Sequence, residues 1–284
     1  MTWHARLQLD YRIEGGRSVA RFEHDGPLRI LQSLYPEGDA VCHNVLVHPP
    51  GGLVGGDTLE VAIAAAAGSH GLVTTPGAAR FYRSGGAPAT QHTRIRLQAD
   101  ARLEWVPLET ICYPGCQARN RIDIELAAGA EMMGWDVAAL GLPQAGQPFD
   151  RGSLLQHLEL RRGDSSGTGP IWLERGRIDA ADLRLLESPL GFAGRRCLAT
   201  LFWAGGSEFT RPRREQALEL ARHVIDGWPE GIIAGATAPD SRVVVVRVLA
   251  PLVEPALDLL KAIRRAWRPG LWSLPATDPR GWST

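Results

Sequence analysis

Apolar and polar residues alternate along most of the first two-thirds of the chain. Leucine, tyrosine and isoleucine occupy the odd positions from Leu7 to Ile13, whereas amide and charged residues occupy the even ones. This period of two is typical of a strand with one buried face, and Gly15-Gly16 after it predicts a hairpin turn. Further strands are predicted near residues 18–24, 28–34, 41–47, 58–66, 70–75, 91–98, 101–106, 121–126, 130–139, 154–160 and 170–178.

The order of these segments predicts a mainly β fold. No helix long enough for a parallel crossover, about 10–15 residues, is predicted between them. We therefore expect layered antiparallel β-sheets with a superhelix-like stacking. Gly163–Gly169, with the sequence GDSSGTG, is expected to be the flexible loop of a hairpin.

The last third of the chain has a helical period in two places. Apolar residues recur on one face of Arg213–Asp226 and of Pro255–Trp267, and Pro269-Gly270 follows the second predicted helix. Strands are predicted at Leu198–Trp203, Ile232–Thr237 and Arg242–Leu249. We expect one domain, residues 1–284, in which a β body (1–195) continues into an α+β part (196–284) with two helices.

The charge balance excludes several classes of partner. Lys and Arg number 31, as do Asp and Glu, so the chain lacks the excess of cations that binds nucleic acid or an anionic membrane. The longest apolar run, Val61–Ala67, is far shorter than the ~20 residues of a membrane-spanning helix. The first residues contain no apolar signal core, so we expect a soluble, cytoplasmic protein.

The familiar catalytic signatures are absent. Lys261 is the only lysine and lies in a predicted helix, which excludes a phosphate-binding Walker A loop and speaks against a Schiff-base enzyme. Neither HExxH nor GxSxG occurs. We therefore assign no catalytic residue and expect a protein that is not an enzyme.

One segment of sixteen residues contains Cys42, His43, His48 and Asp57. Thiol, imidazole and carboxylate ligands together suit nickel, zinc or copper. Along a strand, however, His43 and His48 would lie about 16 Å apart and on opposite faces. They would share an ion only if the chain folds back or another strand contributes. The alternative for each is a hydrogen-bonded structural histidine.

Three carboxylates occupy unusual positions. Asp57 follows Gly55-Gly56, which favours either an unscreened carboxylate or an Asx-turn at the start of a strand. Asp136 and Glu174 lie on strand faces that are otherwise apolar. A carboxylate is costly there unless it is paired or meets internal water, so these residues predict a polar passage rather than an acid/base pair.

Two cysteines flank the Tyr-Pro-Gly turn of CYPGC. The turn could bring Cys112 and Cys116 within reach of a disulfide or a shared metal ion. In a reducing cytosol we expect two free thiols.

Long composite motifs relate the chain to a known family. They are PEGDAVCHNVLVHPPGGLVGGD, TTPGAARFYRS, LEWVPLETICYPG, GWDVAALG and the final PRGWST. Over essentially its whole length the chain resembles the UreD family of urease accessory proteins, also called UreH. Leu142 and Gln147 stand where members of this family often have Arg and Glu, which puts an ion pair at these positions in doubt.

The resemblance implies a non-catalytic factor that helps to assemble the nickel site of urease. Such proteins bind the accessory protein UreF, through it the GTPase UreG, and apo-urease. Nickel(II) is expected to pass through transiently, with no tightly bound cofactor. The resemblance places Asp57, Asp136 and Glu174 along an internal nickel path, and we add His43 and His48 as candidates.

Two other functions are alternatives to this one. An all-β hydrolase or lyase would use Asp136 and Glu174 as acid and base. A nickel store would bind the ion tightly through Cys and His, against which the chain has only eight His and four Cys. The tryptophans near the C-terminus, Trp267, Trp272 and Trp282, are either anchors for a partner or internally packed.

Overall fold

The computed structural model describes residues 2–163 and 170–282, so most of the predicted Gly163–Gly169 loop lies outside the described residues. Strands dominate this part of the chain. They are β1 (His4–Glu14), β2 (Arg17–Asp25), β3 (Arg29–Leu34), β4 (Cys42–Val47), β5 (Thr58–Ala65), β6 (His70–Thr74), β7 (Ala79–Phe81), β8 (Ala89–Leu97), β9 (Arg102–Trp105), β10 (Thr110–Cys112), β11 (Cys116–Leu126), β12 (Glu131–Leu142), β13 (Gln147–Pro148), β14 (Gly152–Arg162), β15 (Trp172–Asp179), β16 (Cys197–Gly205), β17 (Ile233–Asp240) and β18 (Val243–Ala250).

Helices are few and lie mainly in the last third. They are α1 (Leu183–Glu187), α2 (Arg211–Asp226) and α3 (Val253–Trp272), with short 3-10 turns at Pro143–Ala145 and Arg280–Trp282. No helix among the described residues combines the length and apolarity that would let it cross a membrane.

The strands form two layered sheets. The first sheet has the order β15-β14-β11-β8-β5-β1-β2. The second sheet has the order β17-β18-β16-β12-β9-β6-β4-β3; β10 and β13 also pair with β12, and β7 pairs with β10. The prediction of a mainly β, layered fold is confirmed.

The prediction of antiparallel sheets is wrong for the middle of both layers. β1, β5, β8, β11 and β14 pair in parallel, as do β4, β6, β9 and β12. From β5 to β12 the chain alternates between the sheets, so each crossover passes through a strand of the other layer rather than through a helix. This coil-by-coil winding is the predicted superhelix-like stacking. Antiparallel pairs remain toward the edges, such as β1–β2 and β14–β15.

The alternation of the sequence produces two apolar layers. Inward residues of both sheets pack against each other between the sheets, for example Leu9, Ile95 and Phe202. The other face of the second sheet packs against α2 and α3 through residues such as Trp135 and Trp203. Each fully buried side chain of this size contributes about 1.5–3 kcal/mol to folding, so the two layers hold the sheets in place.

The C-terminal part follows the predicted order of strand, helix, strand, strand and helix. Thr210 caps the N-terminus of α2 by accepting a hydrogen bond from the backbone of Arg213. α3 extends past the predicted end, through Pro269 to Trp272, and stops at Ser273, whose backbone is left-handed. A proline near the end of a helix removes one backbone hydrogen bond without preventing a last turn. The organisation as one domain stays a prediction.

The C-terminal tryptophans pack internally. Trp267 and Trp272 are buried. Trp282 stacks on Trp135, with ring centroids 5.2 Å apart, and its Nε1 donates to Oγ1 of Thr74 at 3.0 Å. These contacts attach the tail to the second sheet, and the alternative of exposed anchors is wrong for Trp267 and Trp272.

Candidate functional site

A cavity of about 230 Å³ lies between the two sheets. Most of its wall is apolar, as expected from the core around it. The polar groups that reach it include His48, just after β4, Gln91 on β8, Asn120 on β11, Thr110 on β10 and Asp136 on β12. A space of this size can hold several water molecules, each of which takes up about 30 Å³.

Asp136 is the acidic group of this cavity. It occupies the inward phase of β12, where its neighbours Met132 and Ala138 belong to the core between the sheets. Its carboxylate accepts hydrogen bonds from Asn120 Nδ2 and Gln156 Nε2 of the first sheet, both at 3.0 Å. Asp136 therefore joins the two layers through neutral amides.

The pKa of Asp136 is raised to about 6. Burial is the main cause, and the nearby charge of Glu174 raises the pKa further, whereas the amides of Gln156 and Asn120 lower it. The carboxylate is therefore mostly ionised at neutral pH, and it becomes protonated when the pH falls only slightly below neutral. A cation beside such a group would favour its ionised form.

Inward polar side chains continue from the cavity in both sheets. In the first sheet Gln91, Asn120 and Gln156 occupy one row across β8, β11 and β14. In the second sheet the register places Asp136, Thr200 and Arg247 in one row across β12, β16 and β18. Two polar rows thus face each other inside an otherwise apolar layer.

Glu174 lies at the outer end of these rows, on β15. Its Oε2 accepts a hydrogen bond from Arg247 at 2.9 Å, and Thr200 Oγ1 donates to its Oε1 at 3.4 Å. The side chain is 29% exposed, so this end of the polar line meets solvent. The charge of Glu174 acts on the pKa of Asp136, so the two carboxylates lie near each other, and the polar passage stays a prediction.

His48 is the histidine that lines the cavity. Its ring packs on Trp3, with centroids 5.1 Å apart, and burial lowers its pKa although Asp57 raises it. Within the described residues, the buried atoms His48 Nε2 and Asn120 Oδ1 have no protein hydrogen-bond partner. Buried polar atoms of this kind need water or a cation as a partner. A neutral imidazole with a free nitrogen is also a good metal ligand.

Asp57 has structural partners. Its carboxylate accepts hydrogen bonds from the backbone amides of Trp3 and Val54, at 3.2 and 2.9 Å. The bond to Val54 closes the Gly55-Gly56 turn from its C-terminal side, running back along the chain rather than forward as in the Asx-turn that the sequence allowed. Asp57 does not line the cavity, but it lies close enough to affect the pKa of His48.

His43 faces the other side of the second sheet, as strand geometry predicted. Its Nε2 lies 2.6 Å from Glu37 Oε1, and Glu37 also pairs with Arg268 of α3 at 2.5 Å. His43 is therefore separated from His48 by the sheet and belongs to the contact between the second sheet and α3. The two histidines cannot share an ion in this fold.

The four cysteines of the chain are free and buried. A hydrogen bond between the thiols of Cys112 and Cys116 raises the pKa of Cys112 and lowers that of Cys116. The two thiols are thus in contact across the Tyr-Pro-Gly turn. Leu142 and Gln147 pair directly opposite each other on β12 and β13, so this chain has an apolar–amide pair at that position.

The polar rows contain residues that sequence reasoning missed. Gln91, Asn120 and Gln156 each fall in the inward, otherwise apolar phase of a strand, which was the available signal. These three residues form one row only because of the register between the strands. The alternation of residues within a single strand does not specify that register.

Comparison with known proteins identifies the family. Residues 4–283 match the family model described as UreD urease accessory protein. The chain is 64% identical to the urease accessory protein UreD of Variovorax paradoxus and 61% identical to that of Paracidovorax citrulli, in each case over 100% of both chains. It is 46% identical to that of Methylibium petroleiphilum, again over the whole of both chains. This chain belongs to the UreD family of urease accessory proteins.

Proposed function

We propose that this urease accessory protein serves in urease maturation as a scaffold and as a conduit for nickel(II). The observation that carries the proposal is the line of polar groups from His48 through Asp136 to Glu174. It crosses a layer that is otherwise apolar and contains buried polar atoms that lack a protein hydrogen-bond partner among the described residues.

The ligand chemistry along this line suits passage better than storage. Imidazole nitrogen, carboxylate oxygen and amide oxygen bind nickel(II), and a path of separated single ligands lets the ion leave each of them. Asp136, with a pKa of about 6, is mostly ionised at neutral pH and can bind a divalent ion there without first losing a proton. A cluster of thiolates would instead hold the ion.

The route proposed here begins near His48, where Asp57 adds negative charge, passes Asp136 and leaves at Glu174. His43 is not part of it, because its ring faces α3 on the far side of the second sheet. We propose that nickel(II) is a transient cargo, with no resident cofactor.

The partners proposed are UreF, the GTPase UreG and apo-urease, in the cytoplasm. The support is the family, whose members are named urease accessory proteins. The rival hydrolase is disfavoured by the site, because Glu174 is paired with Arg247 and Asp136 is surrounded by amides rather than by a nucleophile.

The test is activation of urease by Asp136→Leu, Glu174→Leu and the double variant at limiting nickel. Each variant is expected to keep its partners in a pull-down while urease receives less nickel and has lower activity. The double variant should be the most impaired. Leu should impair activation more strongly than Asn or Gln, because an apolar side chain excludes water from the proposed path.

Glu215→Leu is the matched control, since Glu215 is an exposed acid on α2 whose ion pair, within the described part of the chain, is with its neighbour Arg211. It should activate urease fully. Full activation by the double Leu variant would refute the conduit. Loss of the complex would show that Asp136 and Glu174 are structural residues.

A further inference from the structure

The outer face of the first sheet, opposite to the polar passage, contains a second group of metal-binding side chains. It consists of His92 on β8, Asp123 on β11, and His157 and Glu159 on β14. In the register of the parallel strands, His92, Arg121 and His157 form one row, and Arg94, Asp123 and Glu159 form the next. The fold thus places four potential ligands in two adjacent rows.

Three of these side chains converge. One ligand atom each from Asp123, His157 and Glu159 lies within 4.8 Å of the others. His157 Nε2 is 2.9 Å from Glu159 Oε2 and 3.9 Å from Asp123 Oδ1. Ligands bound to one ion at about 2.0–2.2 Å are separated by similar distances, so little movement is needed to receive a cation.

The second oxygen of each carboxylate is fixed by another side chain. Asp123 Oδ2 is 2.6 Å from His92 Nε2 and 2.7 Å from Arg121 Nε. Glu159 Oε1 accepts a hydrogen bond from Arg161. Asp123 Oδ1, which also accepts a hydrogen bond of 3.0 Å from Arg121 Nε, and Glu159 Oε2 face His157, in the arrangement by which outer partners orient metal ligands.

The strands under these side chains are rigidly paired. β11 pairs along its whole length with β14, from Cys116 to Leu126, and along most of it with β8. His157, Asp123 and Glu159 are also partly or largely shielded, with side chains 15%, 26% and 10% exposed. Ligands on paired strands hold their geometry better than ligands on loops.

We propose that Asp123, His157 and Glu159 bind a divalent transition-metal cation of borderline softness, such as zinc, nickel or cobalt, and that His92 is a positioning residue for Asp123. An imidazole with two carboxylates favours such ions over magnesium or calcium, which prefer oxygen alone. Both carboxylates are charged at neutral pH. Burial raises their pKa values, but Arg121 and His92 at Asp123, and His157 and Arg161 at Glu159, lower them.

The cationic neighbours limit the affinity. Arg94, Arg96, Arg121 and Arg161 line the same surface depression, together with Glu125. Repulsion from these guanidinium groups weakens the binding of a divalent ion. The site is therefore expected to exchange its ion rather than to trap it, and it is separate from the proposed nickel route because it lies on the other face of the sheet.

The test uses the full-length chain after removal of metal with a chelator, titrated with Zn²⁺ by calorimetry and with Co²⁺ by visible absorption. His157→Ala and Glu159→Gln are each expected to weaken one binding site at least tenfold. His24→Ala, an exposed histidine on β2 of the same sheet, and Asp136→Asn, in the passage, should leave that site unchanged. Unchanged binding in both site variants would overturn the proposal and leave a network of ion pairs only.

A second measurement needs no variant and decides the question if the variants fold poorly. Diethyl pyrocarbonate modifies accessible histidines, which mass spectrometry then identifies. Zn²⁺ is expected to slow the modification of His157 in the unaltered chain and to leave that of His24 unchanged. Equal modification of His157 with and without Zn²⁺ would refute the site.

Discussion

Asn120 donates a hydrogen bond of 3.0 Å from its Nδ2 to Oδ1 of Asp136 across the space between the two sheets. Gln156 makes the equivalent bond to the other oxygen. Neutral amides satisfy the geometry of the carboxylate without neutralising its charge. The carboxylate of Asp136 therefore keeps a negative charge that can bind a proton or a cation. This charge is the physical basis of the proposed conduit.

Asp136→Asn should stabilise the folded chain above pH 6. The pKa of Asp136 is about 6 in the fold and near its ordinary value of 3.8 when unfolded. Because the folded state binds the proton more tightly, Asp136 lowers stability progressively as the pH rises from about 4 to 6. We expect Asn to add about 1–3 kcal/mol at pH 8 and little at pH 4, since one pKa unit corresponds to about 1.36 kcal/mol.

Urea denaturation of both chains at several pH values measures this difference. Glu174→Gln serves as a companion variant, because removing the charge of Glu174 should lower the pKa of Asp136. The pH range over which Asp136 lowers the free energy of unfolding should then move to lower pH. If the difference in stability between Asp136→Asn and the unaltered chain did not depend on pH, the raised pKa of Asp136 would be contradicted.

Glu104→Gln should destabilise the chain strongly. Glu104 is fully buried beneath α3 and accepts a hydrogen bond of 2.6 Å from Arg264, which is also fully buried. Removing one partner leaves a buried charge unpaired, at a cost of about 3–5 kcal/mol. Arg211→Ala breaks an exposed pair on α2 and should cost less than about 1 kcal/mol, which denaturation can resolve.

The contribution of Glu104 to the free energy of unfolding should depend on pH in the opposite direction to that of Asp136. Burial raises the pKa of Glu104, but Arg264, His70 and Arg268 lower it more, to well below its ordinary value. The contribution of Glu104 is therefore fully present above its ordinary pKa and is lost as the pH falls toward the folded value. The stability gap between Glu104→Gln and the unaltered chain should narrow in acid, and a gap that widens there would be inconsistent with a charged Glu104.

Gly71→Ala should disturb the contact between the sheets. A Cβ at Gly71 would lie 2.5 Å from the buried ring of Tyr11, which cannot move aside in a packed core. We expect a loss of about 1–3 kcal/mol. Gly77→Ala, with no atom within 4 Å of the added Cβ, is the control and should change stability by about 0.5 kcal/mol or less.

The cysteines should react with thiol reagents only after unfolding. All four are buried and free, so native protein should label slowly and denatured protein should expose four thiols per chain. Counting the thiols in denaturant without a reductant tests the state of Cys112 and Cys116. Two thiols instead of four would reveal a disulfide between them.

Local sequence determined most of the elements. The period of two in Leu7–Ile13 corresponds to strand β1 of the structure. The helical period in Arg213–Asp226 corresponds to helix α2. The same patterns indicated that Asp136 and Glu174 interrupt apolar faces. Side-chain periodicity depends only on the backbone geometry of one element, so a single sequence contains it.

Tertiary structure decided how the strands pair and which polar residues meet. Parallel pairing of β5 with β8 follows from the winding of the chain between two layers, which no single strand specifies. The same winding places Asn120 and Gln156 against Asp136 and brings the backbone amide of Trp3 to the carboxylate of Asp57. Register and layer are global properties, because the partner of each strand is distant in sequence and is selected by packing of the whole core.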